Sequence, residues 1–299
     1  MMVELKEALT YDEQVDKLIY EHNLIVADRE YAVSVLKKVN YYRLSAYGIG
    51  LKQVDDKEKY IDGITLESLY SLYEFDSKFK NILIHIIEQV EIQLRAQISN
   101  YFSLKYGPEG YTDLSNFIVK LNKDGENIHS NIIDNFRLEC SRQQNVPFVK
   151  HHFKKYDGHF PMWVAVELFT FGNLSSLFDI MKDEDKKEIA KLYNTEPMHL
   201  RSWILALVEI RNICAHYGRL YNMPLKQTPF LYAEHVKYRN PKNNKVFPAL
   251  LALKRMILSD SRWFSFYSNL EALFEEYSGD IKLSFIGFPC EWKDVLGTK

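Results

Sequence analysis

The chain has 299 residues, 46% of them hydrophobic, with 20 Tyr and 18 Phe, so it can build a substantial core and does not read as a disordered segment. Gly and Pro number only 12 and 9, which points to long regular elements joined by few tight turns. The formal net charge of −2 gives no support to an overall basic nucleic-acid binder, so any phosphate-binding surface has to be local.

The N-terminus, MMVELKEALTYDEQVDK, mixes charges of both signs and lacks an apolar h-region, so no signal peptide is expected. Leu5 to His22 and Asp28 to Val39 read as two short helices, with Asp28 as the N-cap of the second. NYYRLSAYG follows and closes at Gly48 and Gly50. Its Tyr41, Tyr42, Arg43 and Tyr47 either stack bases or pack one helix against another, and packing is the commoner use of such residues. DDKEKYIDG is a polar loop. From Ile64 to Tyr106 there is neither Gly nor Pro, and Phe75, Phe79, Ile82, Ile86, Val90 and Leu94 recur at steps of three and four. This is the strongest helix in the sequence, with Asp76 a place where it can break and restart. His85, Glu88, Glu91 and Arg95 form a second, polar stripe. The same polar residues interrupt NILIHIIEQVEIQL, so no run reaches the ~18 to 20 apolar residues of a membrane span.

YGPEGYTDL ends that helix, and residues 111 to 160 read as shorter helices and loops, with Pro147 in a first turn. Within VKHHFKKY, adjacent His151 and His152 point apart on a helix and no third ligand is near in sequence, so zinc is not expected. Lys154 and Lys155 are candidate phosphate contacts, with a solvated basic turn as the plain alternative. Pro161 opens a helix at PMWVAVELFTFG, closed by Gly172; Leu174 to Met181 and Asp183 to Tyr193 form two more. Thr195 is the expected N-cap of a helix with Pro197 in its first turn, ending at Gly218. Trp203, Leu207, Ile210, Cys214 and Tyr217 form its buried stripe. Between Ile210 and Ser259 stand nine basic residues and one acid, a net of +8 that leaves −10 for the rest of the chain. Such a block is the footprint of a phosphate-binding surface, or else a solvated basic loop region. Arg219, Lys237, Arg239, Lys242 and Lys245 are its candidate RNA contacts, and Pro224, Pro229, Pro241 and Pro248 mark it as loop-rich. Phe247 to Leu258 and Arg262 to Tyr277 are the last helices. No strand pattern, repeat or low-complexity tract appears, so the fold class is all-α.

Cys140, Cys214 and Cys290 are far apart and form no CxxC pair, which disfavours disulfides and cysteine-based zinc sites and fits a reducing cytoplasm. No metal ligand set and no cofactor motif is apparent: GxxxxGK[ST], GxSxG and HExxH are all missing.

The stretch EIRNICAHYGRLYN places Arg211 and His216 off the apolar stripe, separated on a helix by ~140° and ~7.5 Å. Asn212 and His216 are i,i+4 neighbours, so the amide can orient the imidazole. Arginine grips phosphate bidentately, and histidine moves a proton near neutral pH. RNA brings its own nucleophile, the 2′-OH, so these residues fit phosphodiester cleavage without a metal. The spacing is weak evidence alone, since 11 Arg and 9 His produce roughly 0.3 such pairs by chance. The plain alternative is a surface arginine and a helix-end histidine favoured by the dipole.

RNICAHYGRLYN resembles the C-terminal motif of the Abi-like (abortive infection, AbiD/AbiF) family. NYYRLSAYG, YEFDSKFKNILIHIIEQVEIQLRAQIS and PMWVAVELFTFGNLSSLF resemble its other blocks, in the same order. The family is similar to HEPN domains, whose R-x4-6-H motif marks metal-independent ribonucleases. The resemblance implies Arg211 and His216 as catalytic, Asn212 as supporting, and a role in phage defence or as a toxin, controlled in some cases by a partner RNA. It also implies a homodimer with a composite site, because the chain carries one such motif; Arg95 and Asn100 have the spacing without the histidine. Glu88, Glu91 and Arg95 can line the same cleft, or Glu91 and Arg95 form an ordinary i,i+4 ion pair. The expected organisation is an N-terminal helical extension (1–64), a HEPN-like core (65–222), and a basic loop region with C-terminal helices (223–299), all in one globular unit. The other readings open to this sequence are a non-catalytic RNA-binding module and a helical interaction protein.

Overall fold

A computed structural model describes residues 7–240 and 242–297; Pro241 and the start of the first expected helix at Leu5 lie outside them. The elements in chain order are α1 (Tyr11–Asp16), α2 (Arg29–Lys38), α3 (Tyr41–Ser45), α4 (Leu66–Tyr106), α5 (Ile128–Arg142), α6 (Pro147–Tyr156), α7 (Met162–Ala165), α8 (Phe171–Ile180), α9 (Asp183–Lys191), α10 (Pro197–Ala215), α11 (Val246–Met256), α12 (Asp260–Glu276) and α13 (Trp292–Gly297). No strand occurs among the described residues, so the fold is all-α. No helix among them is long and apolar enough to cross a membrane.

Local signals set most boundaries. A capping box between Thr10 and Glu13 starts α1 at Tyr11, and the Asp28 carboxylate accepts from the Tyr31 amide to start α2. Thr170 caps α8 by accepting from the Asn173 amide, so Gly172 sits inside that helix instead of closing the one before it. The segment opened by Pro161 is one α-turn that tightens to a 3₁₀ turn at Val166–Leu168. Thr195 does not cap α10. Its hydroxyl bonds the Tyr232 hydroxyl at 2.9 Å, and Glu196 takes the cap position ahead of Pro197.

α4 runs unbroken for 41 residues, ~62 Å, and is the axis of the fold. The expected break at Asp76 does not occur, because that carboxylate has partners elsewhere in the chain that let it stay helical and buried. α8, α10, α11 and α12 pack around α4 in one continuous core. Phe75 lies within 6.0 Å, ring centre to ring centre, of Phe79, Tyr221, Phe274 and Tyr277. A second, smaller core joins α1, α2 and α3 to Leu66 and Leu69 at the start of α4. The same helix therefore serves both cores.

Candidate functional site

α10 buries Trp203, Leu207, Ile210 and Cys214 and leaves Arg211 and Asn212 half-buried at its edge. Arg211 Nε lies 3.3 Å from Glu91 Oε2 on α4, and its Nη1 donates to Asn212 Oδ1 at 3.3 Å. The first contact is an ion pair and the second occupies one of the five guanidinium N–H donors, which leaves donors for a ligand. Glu91 is 7% exposed and also pairs with Arg95 at 2.6 Å. Arg95 donates in turn to the carbonyls of Val166 and of Phe169, the latter at 2.6 Å. Glu91 thus bridges two arginines and ties Arg211 to the rigid axis of the fold, which lowers the side-chain entropy a ligand would otherwise have to remove.

Glu88, Glu91, Arg95 and Arg211 line one cleft of about 540 Å³, with Glu167 and Ala215 on its rim. Three carboxylates face two guanidiniums there, so the cleft of a single chain is not strongly attractive to a phosphate chain.

The end of α10 departs from the expected geometry. His216 is the C-cap, with φ −99° and ψ 18°, so the helical estimate of its angle to Arg211 does not carry over. The Gly218 amide donates to the Ile213 carbonyl at 2.8 Å and the Tyr217 amide to Cys214 at 3.2 Å, which together make a Schellman motif. Tyr217 takes the left-handed position at φ +57°, a place that glycine usually fills, and its side chain is 73% exposed. It is therefore not part of the buried stripe. Gly218 is needed for space: a Cβ there would meet Ile213 Cγ2 at 3.0 Å and the Ile213 carbonyl at 3.2 Å. The His216 imidazole is exposed and makes no side-chain hydrogen bond among the described residues. Asn212 bonds Arg211, not His216, so the expected amide–imidazole contact is absent among the described residues.

A buried clamp fixes the segment that follows, and sequence reasoning missed it. Asp76, fully buried on α4, accepts from the Tyr221 amide at 2.8 Å, the Leu220 amide at 3.1 Å and the Tyr47 hydroxyl at 2.7 Å. Lys80, one turn on, pairs with Asp76 at 3.1 Å and donates to the Gly218 carbonyl at 2.8 Å. Arg43 of α3 donates to the Tyr217 carbonyl at 2.5 Å. Burial and then the Asp76 charge hold the Tyr47 phenol well above its ordinary pKa, so it stays a donor. Tyr47 is a packing residue, while Tyr42 is 83% exposed. Asp76 was legible only as a helix-breaking acid, because the two amides it holds are 144 and 145 residues away.

The basic residues of the block have different surroundings. Lys237 pairs with Glu291 at 3.1 Å. Arg239 donates to the Pro229 carbonyl at 3.1 Å and lies over the Phe230 ring at 4.9 Å. Lys245 is 8% exposed, and burial, followed by the Arg219 charge, lowers its pKa. Arg219 is half-buried against Met223; burial lowers its pKa too, and its Nη1 has no hydrogen-bond partner among the described residues. Lys242, Lys154 and Lys155 are exposed. None of these seven residues lines the Arg211 cleft. No cluster of three or more metal-ligating side chains occurs among the described residues.

A family model described as Abi-like protein matches residues 34–222, more than half of the chain and inclusive of the Arg43, Asp76, Glu91, Arg211 and His216 positions. No match was found among curated proteins or among solved structures.

Proposed function

The chain belongs to the Abi-like family, which implies a role in abortive infection, and on that premise we propose that it is a metal-independent endoribonuclease of the HEPN type. One observation carries the reading: Arg211 is anchored through Glu91 with donors to spare, and His216 stands exposed at a helix end held in place from below by Asp76, Lys80 and Arg43. An anchored phosphate grip and, five residues on, an unobstructed imidazole are the two groups that 2′-OH attack requires.

In this mechanism Arg211 binds the non-bridging oxygens of the scissile phosphate and offsets the charge that grows on them. A neutral His216 takes the 2′-OH proton as that oxygen attacks phosphorus. The bond from phosphorus to the 5′ oxygen breaks, and a protonated imidazole gives that oxygen its proton. The products are a 2′,3′-cyclic phosphate and a 5′-OH. The two proton transfers need two imidazoles in opposite states. A homodimer supplies both and brings a second Arg211 to an acid-rich cleft, whose own charges do not favour RNA. Asn212 limits the swing of Arg211, a supporting role that differs from orienting the histidine.

That Arg211 lines the cleft while His216 does not favours a second reading, an RNA-binding module whose arginine only grips phosphate. Wild type, Arg211→Ala and His216→Ala separate the two. Cleavage lost in both variants, with RNA affinity kept in His216→Ala, supports the enzyme. No cleavage by any of the three, with salt-sensitive affinity that falls in Arg211→Ala, supports the binding module.

A further inference from the structure

The Arg211 cleft does not end at α10. Ile92 and Glu167 line it and also line a second depression of about 510 Å³ along α4; Trp163 lines that depression and a third, of about 430 Å³. Through these shared residues the three hollows adjoin; the first two follow α4 from Glu91 to Leu104, a run of roughly 20 Å at the rise of an α-helix, and the third lies beyond them across Trp163.

The far hollow differs chemically from the near one. Its walls are aromatic: Trp163 is 55% exposed and Tyr156 44%, and His151 sits edge-on to Tyr156 at 5.6 Å. The wall behind is rigid. His152 is 8% exposed, stacks on Phe160 at 4.9 Å, and its Nδ1 lies 2.9 Å from the His159 carbonyl. The rim is polar, with the His159 imidazole held 3.0 Å from both oxygens of Glu109. The helix that supplies His151 and Tyr156 also carries Lys150, Lys154 and Lys155, all exposed and none ion-paired among the described residues, with Lys155 over the Tyr156 ring at 5.2 Å. An exposed aromatic face, a hydrogen-bonding edge and exposed lysines without carboxylate partners match the three parts of a nucleotide: base face, base edge and phosphate. A protein partner would need no such group of exposed lysines on the helix that carries the rings.

We propose that this hollow is a stacking site for a base of single-stranded RNA, with Trp163 as the platform, the α6 lysines on the flanking phosphates, and the adjoining hollows leading the strand to Arg211. The proposal rests on the ribonuclease reading for its direction but not for its test.

Trp163 is the reporter. The other three tryptophans, Trp203, Trp263 and Trp292, are 0%, 2% and 4% exposed, so a ligand in the hollow changes the emission of Trp163 first. The ligand is a short 2′-O-methyl oligoadenylate, which cannot be cleaved by 2′-OH attack, compared with an abasic oligonucleotide of the same length. The expected result is quenching by the first and not by the second. In an anisotropy assay with the same labelled oligoadenylate, Trp163→Ala raises Kd about five- to a hundred-fold while Trp163→Phe keeps most of the affinity. Replacing Lys154 and Lys155 by Ala weakens binding and flattens its salt dependence. Equal binding of the abasic strand, no quenching in wild type, or a Trp163→Ala Kd within about twofold of wild type would overturn the proposal. Cleavage of unmodified RNA, followed separately, decides the nuclease reading. A protein that stacks bases but does not cut keeps this site and loses that function.

Discussion

Replacing Asp76 by Ala tests the clamp that holds the motif end of α10. The carboxylate has no solvent exposure, accepts three hydrogen bonds and balances Lys80, which is itself 7% exposed. Its removal strands the hydroxyl of Tyr47, the amides of Leu220 and Tyr221, and a nearly buried ammonium. Each unmet buried donor costs about 1 to 3 kcal/mol, and breaking a buried ion pair by removing one partner costs about 3 to 5 kcal/mol. The terms overlap because all four groups share one acceptor, so the expected loss is about 4 kcal/mol, not their sum. Against a total of about 5 to 15 kcal/mol that is a large share, and it lowers Tm by about 10 °C. Urea denaturation followed by circular dichroism measures it. The double variant Asp76→Ala, Lys80→Met should lose less than the two single losses combined, because it no longer buries an unpaired charge. A loss under about 1 kcal/mol in Asp76→Ala would show that these contacts do not anchor the segment.

Tyr217→Gly relieves a left-handed residue and should stabilise the fold by about 0.5 to 1 kcal/mol in the same assay, whereas Gly218→Ala, which crowds Ile213, should destabilise it by about 1 kcal/mol. Arg211→Lys keeps the charge but loses the planar fork, so RNA cleavage should fall at least about tenfold in a gel assay while thermal stability changes little. His199 stacks on Tyr232 at 4.5 Å with a buried Nδ1 that has no hydrogen-bond partner among the described residues, and burial lowers its pKa below the usual 6.5. The unfolded chain therefore takes up this proton first as pH falls, so the contribution of His199 is present above about pH 6.5 and is lost on acidification toward its folded pKa. His199→Phe should flatten stability against pH in that window. Equilibrium sedimentation of the active protein should give about 71 kDa, twice the 35.3 kDa chain mass; a monomer that cleaves RNA contradicts the composite site.

How far the sequence could be read depends on how local each signal is. α4 was legible because its apolar steps and its lack of Gly and Pro need no knowledge of the rest of the chain. The Asp28 cap was legible for the same reason. The end of α10 was misread by one residue: Gly218 looked like the left-handed stop, but Tyr217 takes that conformation and Gly218 is kept for its missing Cβ. Thr195 looked like a cap and is a partner of Tyr232, 37 residues away. In the candidate site, the pairing of Glu91 with Arg95 followed from i,i+4 spacing, whereas the contact of Glu91 with Arg211 depends on how α4 and α10 pack. The basic block was open to two readings, a phosphate-binding surface or solvated basic loops; several of its charges go into ion pairs, stacking and burial, which composition cannot distinguish from either.

The chemistry of the RNA ends tests the central claim most directly. Purified protein is incubated with single-stranded RNA in EDTA, and the fragments are analysed by mass spectrometry. The account predicts 2′,3′-cyclic phosphate and 5′-OH ends from wild type and intact RNA with Arg211→Ala and with His216→Ala. Fragments with 5′-phosphate and 3′-OH ends that appear only with Mg²⁺, or undiminished cleavage by His216→Ala, would contradict it.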